Sequence, residues 1–277
     1  MVRATGRVLG VIGLFASFPV VNLATPRARR RGLHRAYARA VLRCCGVRLR
    51  IVDERDADSA NTAGVLVVAA HVGWTDVLAL AAVQPMGFVA RADLVDWPVL
   101  GRLARAMRVI PIERERLRQL TEVISTIAGR LCAGERVGMF PEGTTWCGRA
   151  HGRLRPALFQ AAVDTGASVQ PIRVRYLDRH GELSTIPGFV GVDTFLDSVR
   201  RVVRSRGVTA ELTLLPPERP GPDRHELAAR CERALRGDET PAIDAHATAL
   251  GWGPTRTIIP DATVVPDSEP APAAAVS

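Results

Sequence analysis

The sequence has no lysine: all 37 basic residues among its 277 are arginine. A genome-wide codon bias toward arginine and alanine accounts for this better than local chemistry does, so a single arginine carries little positional information. Aromatic residues are scarce, at 5%, and no RNA- or DNA-binding signature is present, which argues against a nucleic-acid partner. The five cysteines (Cys44, Cys45, Cys132, Cys147 and Cys231) form no CxxC pair and share no ligand spacing with the six histidines. That pattern excludes a zinc framework and fits reduced thiols in a cytosolic environment; no metal site is expected. There is no G-x-S-x-G, so the strand-to-helix elbow that carries a serine nucleophile is missing too. No internal repeat occurs.

What is present is a globular composition, 47% hydrophobic and 23% charged, long enough for one large domain or two small ones. The net charge of +9 favours anionic partners, and charge alone does not choose among nucleic acid, acidic lipid and an anionic substrate. Residues 8–24 (VLGVIGLFASFPVVNLA) carry no charge and are bracketed by Arg3 and Arg7 before and by Arg27 and Arg29–Arg31 after. The run falls slightly short of the roughly 20 apolar residues a spanning helix needs, and Pro19 lies within it. An uncleaved segment dipping into one leaflet, with arginines at lipid phosphates, fits best. A cleavable signal peptide and a buried core helix are the rivals, the former weakened by the lack of an A-x-A site. Residues 33–45 have helical character with outward arginines, placed to lie on the membrane surface beside the first segment.

From residue 47 the pattern alternates strand and helix. Strands are expected at 47–52, 65–70, 87–90, 108–112, 136–140, 168–176 and 209–215. Helices are expected after His71 to about Val83, around 99–107, at 115–133 with Gly134 closing it, from Pro156 to Val163, at 194–206 and at 224–235. The alternation implies an α/β domain with a mixed, largely parallel central sheet flanked by helices. Boundaries fall at 1–45 for the N-terminal membrane-associated helices, 46–240 for the catalytic domain and 241–277 for a C-terminal extension. The extension is rich in Pro and Ala and is expected to be disordered from about Asp261.

Two constellations sit directly after predicted strands, where ligand sites of open α/β sheets cluster. The first is His71-Val-Gly-Trp-Thr-Asp76. On an ideal helix these two residues point about 140° apart, so they meet only if His71 lies in the turn before the helix and Asp76 in its first turns. Gly73 makes such a turn easy. A carboxylate on one ring nitrogen fixes the tautomer and leaves the other nitrogen free to take a proton from an alcohol. Alone, that spacing is more often chance. The second is Phe140-Pro-Glu-Gly-Thr-Thr145, where Glu142 and Gly143 form a turn whose N–H groups and carboxylate face one cleft, suited to an acceptor's polar head. An ordinary strand-to-loop turn is the bland alternative. Ile110-Pro-Ile-Glu-Arg114 delivers a guanidinium at a strand end, and Val169-Gln-Pro-Ile172 reads as a strand lining the site.

In that order the four segments resemble the motifs of the glycerolipid acyltransferase family that includes the 1-acylglycerol-3-phosphate acyltransferases. Its HxxxxD stands here as HVGWTD at 71–76, its basic strand end as IPIER at 110–114, its FPEGT at 140–144 and its V-x-P-[VI] strand as VQPI at 169–172. The resemblance covers about residues 30–235. It implies that His71 is a general base oriented by Asp76, and that an acceptor hydroxyl attacks the thioester of acyl-CoA or acyl-carrier protein without an acyl-enzyme. It further implies that Arg114, Glu142, Gly143 and Thr144 bind the head group, with Arg91 assisting, and that no cofactor is needed. The acceptor it points to is a lyso-lipid, 1-acylglycerol-3-phosphate or a related lysophospholipid foremost, at the cytoplasmic face of the cell membrane. This sequence departs from the family pattern at Ala70, where many members have Asn, and at Arg91, where Lys is frequent. It departs again at Thr145-Trp146, where Arg-Ser is common. The last change removes a phosphate-binding arginine and admits a lyso-ornithine-lipid type of acceptor. A catalytically inactive membrane-binding member and a hydrolase using the same dyad are the readings from other classes.

Overall fold

The computed structural model describes residues 2–56, 64–92, 101, 107–113, 117–189 and 193–237. The helix expected around 99–107 falls almost wholly outside the described residues, as do Arg114 and the extension from 241 to 277.

Seven strands form one sheet: β1 (Val47–Asp53), β2 (Val65–Ala69), β3 (Gly87–Arg91), β4 (Ile110–Ile112), β5 (Arg136–Met139), β6 (Val169–Leu177) and β7 (Val208–Leu214). Their order is β1-β7-β6-β2-β5-β3-β4. Every neighbouring pair is parallel except β6 and β7, which run antiparallel, so the sheet is mixed and largely parallel as expected. The helices are α1 (Val2–Ala24), α2 (Arg30–Cys45), α3 (Trp74–Val83), α4 (Leu117–Cys132), α5 (Gln160–Thr165), α6 (Phe195–Arg204) and α7 (Arg224–Arg236). The helix expected from Pro156 begins as a 3-10 turn at Ala157–Phe159 before α5 takes over.

β2 is the hub. All five of its residues are buried, because it is covered on both faces. Val67 and Ala69 face a core completed by Leu42 of α2, Leu80 of α3 and Val202 of α6. Leu66 and Val68 face a second core with Ile127 of α4, Phe159 and Leu227 of α7. Each fully buried aliphatic side chain of this kind contributes about 1.5–3 kcal/mol. With both faces committed, a one-residue slip of β2 would exchange the two sets, so the register that sets the end of β2 is strongly specified.

α1 packs along one side only. Ala4, Val11 and Leu14 touch the first core, while Arg7 donates to the carbonyls of Val203 (2.6 Å) and Ser205 (3.0 Å) at the end of α6. Phe18 meets Tyr37 edge-on and Ser17 bonds its hydroxyl, which docks α1 on α2. The opposite side is apolar and uncovered, with Leu9 at 63%, Ile12 at 57% and Leu23 at 81% exposure. Arg3–Ala24 is long and apolar enough to cross a membrane by length and composition.

Candidate active site

β2 ends at Ala69, and residues 70–73 turn before α3 starts at Trp74. His71 is therefore in the turn, and Asp76 is the third residue of the helix. This brings His71 Nδ1 to 2.8 Å from Asp76 Oδ2. With the carboxylate ionised the ring proton sits on Nδ1, leaving the Nε2 lone pair for another partner.

Asp76 is fully buried, and a carboxylate there is tolerable only if it is well supplied with donors. Oδ2 also accepts from the N–H groups of Val72 (2.6 Å) and Gly73 (2.9 Å), and Oδ1 accepts from the Tyr176 hydroxyl (2.6 Å). Charge-assisted bonds of this sort are worth about 1.5–3 kcal/mol each. Asp76 thus serves as helix cap and imidazole partner at once. Tyr176 is itself buried, and that burial, followed by the charge of Asp76, holds its phenol well above the usual range, so it remains a proton donor.

Gly73 is needed for space rather than for its backbone angles. Its φ of −178° is extended backbone open to any residue, but a Cβ there would run into the Pro187 carbonyl oxygen. The Phe189 N–H closes the same contact by donating to the Val72 carbonyl (3.0 Å).

The imidazole is held from a second side. Phe140 stacks on it with centroids 4.0 Å apart and planes 14° apart. Phe88 backs Phe140 at 6.1 Å, close to Gly138, where a Cβ would press into the Phe88 ring. Beyond Phe140 the chain makes the Pro141–Gly143 turn, and Gly143 has φ +75°, a left-handed conformation that favours glycine. Glu142 is 5% exposed; its Oε2 accepts from the His71 N–H (2.8 Å) and its Oε1 from the Gly152 N–H (3.0 Å). Burial pushes this carboxyl up to about 7, against the pull of those two N–H groups and of Arg236, and the charge of Asp76 raises it further. The Trp146 N–H donates to the His71 carbonyl at 2.7 Å, completing the frame.

Of the residues singled out in the sequence, His71, Asp76, Glu142 and Gly143 therefore converge. Thr144 is exposed on the rim of the turn. Arg91 ends β3 as an exposed residue on the same carboxyl edge, separated from β2 by β5. Arg114 lies outside the described residues. Both Glu142 oxygens are engaged by backbone, so its part in the site is to tie the His71 turn to the 150s segment. Sequence reasoning overlooked Tyr176. Its signal was the alternation of β6, which puts Ile172, Val174 and Tyr176 on one face, with a hydroxyl ending an apolar row. A cleft opens between residues 142–154 and α7, lined by His71, Trp146, Arg149, Arg175, Glu232 and Arg236.

The acyltransferase family model matches residues 50–175, the stretch that builds β2, the dyad and the Glu142 turn. The chain is 32% identical over 177 residues to the 1-acyl-sn-glycerol-3-phosphate acyltransferase of Neisseria gonorrhoeae, covering 62% of this chain and 68% of that protein. It is 34% identical over 187 residues to the lyso-ornithine lipid O-acyltransferase of Rhizobium meliloti, covering 62% and 63%. A crystal structure of the 1-acyl-sn-glycerophosphate acyltransferase of Thermotoga maritima superposes with a TM-score of 0.57 over 84% of this chain and 94% of that one; at 15% identity the likeness concerns the fold. The stretch matched by the family model carries the buried carboxylate and the framed imidazole, and the chain belongs to the acyltransferase family and is an acyltransferase.

Proposed function

We propose that the protein moves a fatty acyl chain from acyl-CoA or acyl-carrier protein to the hydroxyl of a lyso-lipid at the cytoplasmic face of the cell membrane. The observation that carries the reading is the 2.8 Å bond from His71 Nδ1 to a fully buried, fully supplied Asp76. That bond directs the Nε2 lone pair outward as a general base. His71 Nε2 takes the acceptor's proton as its oxygen attacks the thioester carbonyl. The tetrahedral intermediate expels the thiolate, and His71 returns the proton to sulfur. The ester forms, the C–S bond breaks, and no cofactor enters the balance.

Substrate handling falls to Arg91 and Thr144 near the carboxyl edge and to Arg114, with Glu142 and Gly143 shaping the 141–143 turn. The arginines of the adjacent cleft suit an anionic head group, which supports 1-acylglycerol-3-phosphate or a related lysophospholipid as acceptor. A lyso-ornithine lipid is a second reading. It is favoured by Thr145-Trp146, where the Thr145 hydroxyl is turned to the Phe189 carbonyl and the Trp146 backbone to His71 in place of a phosphate-binding Arg-Ser. Purified full-length protein in detergent, given labelled acyl-CoA or acyl-carrier protein and a panel of lyso-lipids, should form a diacyl product. His71→Ala should lower its rate by about 10²–10⁴-fold. A panel without any His71-dependent product refutes the proposal.

A further inference from the structure

We infer that Tyr176 is a positioning residue of the reaction: its hydroxyl, donated to Asp76 Oδ1 at 2.6 Å, sets how strongly the His71–Asp76 pair holds a proton. This rests on the reading of His71 as the general base. Tyr176 lies 100 residues from Asp76 in the sequence and reaches it because β6 runs parallel to β2, with Ala69 opposite Ile172. Its ring is packed in the first core, its register partner on β7 is Ala210, and the buried Thr75 side chain is the other polar group beside its hydroxyl. The other three donors to Asp76 all come from the 71–73 turn and converge on Oδ2. Among the described residues Tyr176 alone supplies Oδ1, and it lies outside that turn.

Among the described residues, few charged groups surround the carboxylate. His71 faces it directly, and Glu142 acts on it from the 141–143 turn with Arg236 of α7 beyond. α2 packs on α3 and brings Arg39, whose Nε is spent on the Ala82 carbonyl near the far end of α3. A phenol donor stabilises the bare carboxylate and so lowers the appetite of the pair for a proton. Without it His71 becomes more basic. It is then protonated, and unavailable as a base, over a wider acidic range.

The test uses full-length protein in detergent and compares wild type with Tyr176→Phe, which keeps the ring and the packing. The acidic limb of the kcat/KM profile should move up by about one pH unit, the loss of one charge-assisted bond. Well down the acidic limb kcat should fall about tenfold, with KM for donor and acceptor within about twofold. A tyrosine that only filled space would leave the limb in place, and that result overturns the inference. The chain has two tyrosines, so fluorotyrosine incorporated in a Tyr37→Phe background labels Tyr176 alone. Its more acidic hydroxyl should shift the limb the other way, which keeps the inference testable if Tyr176→Phe folds poorly. The ring titration of His71, followed by NMR and assigned with His71→Ala, separates the two proposals. A higher His71 pKa in Tyr176→Phe sustains the coupling even if no acyl product is found, and an unchanged one refutes it even if product is abundant.

Discussion

Glu142 gives the structure a pH-dependent weakness that can be measured. A glutamic acid titrates at 4.5 when unfolded and at about 7 in this site. Its folded pKa is raised, so the folded chain binds this proton more tightly than the unfolded one. The stabilisation is complete below pH 4.5 and is lost as pH climbs through 7. The gap corresponds to about 3 kcal/mol, or about 6–12 °C in Tm for a chain of this size. Glu142→Gln removes the titration. It also sets an amide N–H2 against one of the two N–H groups that the carboxylate accepts, costing about 1–3 kcal/mol at every pH. Wild type should therefore be the more stable form at pH 5, with its advantage shrinking by several degrees by pH 8. Thermal unfolding of both proteins in one detergent over that range is the assay, and their difference cancels every other titrating group. A Tm difference independent of pH would refute the account of Glu142 as a buried, reluctantly ionised strut.

Two further outcomes test other parts of the molecule. Gly73→Ala should destabilise the fold by about 1–3 kcal/mol and displace the 187–189 segment, because the new Cβ meets the Pro187 carbonyl and no flexible side chain; thermal unfolding checks it, and an unchanged Tm counts against the crowding. Leu9→Asp combined with Ile12→Asp leaves both cores intact. If α1 enters lipid, the pair should lower partition into anionic vesicles by at least about a hundredfold, since a central aspartate costs about 2.5–3.5 kcal/mol. Unchanged co-sedimentation would sink the membrane role of that face.

Much of the fold was legible because its cause is local. The apolar run at 65–70 is β2, the alternation at 47–52 is edge strand β1, and the Gly134 stop follows α4. The dyad could be placed because a five-residue spacing allows contact only across a turn–helix junction. What stayed hidden depends on register between distant strands. Tyr176 reaches Asp76 only because β6 lies beside β2, and Glu142 reaches the His71 N–H only because β5 lies on the other side. The role of Gly73 was misread for the same reason. Its neighbour is Pro187, more than a hundred residues on, and no local pattern announces that carbonyl.

The four donors on Asp76 have a consequence for where a proton can travel. Here the imidazole and two backbone N–H groups converge on Oδ2 and one phenol on Oδ1, around a carboxylate that is fully buried. Bulk solvent does not reach it, so Asp76 is the closed end of the proton path. In the proposed reaction, a proton lifted from the acceptor onto His71 can leave only through the nitrogen by which it arrived. That single nitrogen therefore both receives the proton from oxygen and returns it to sulfur in each turnover.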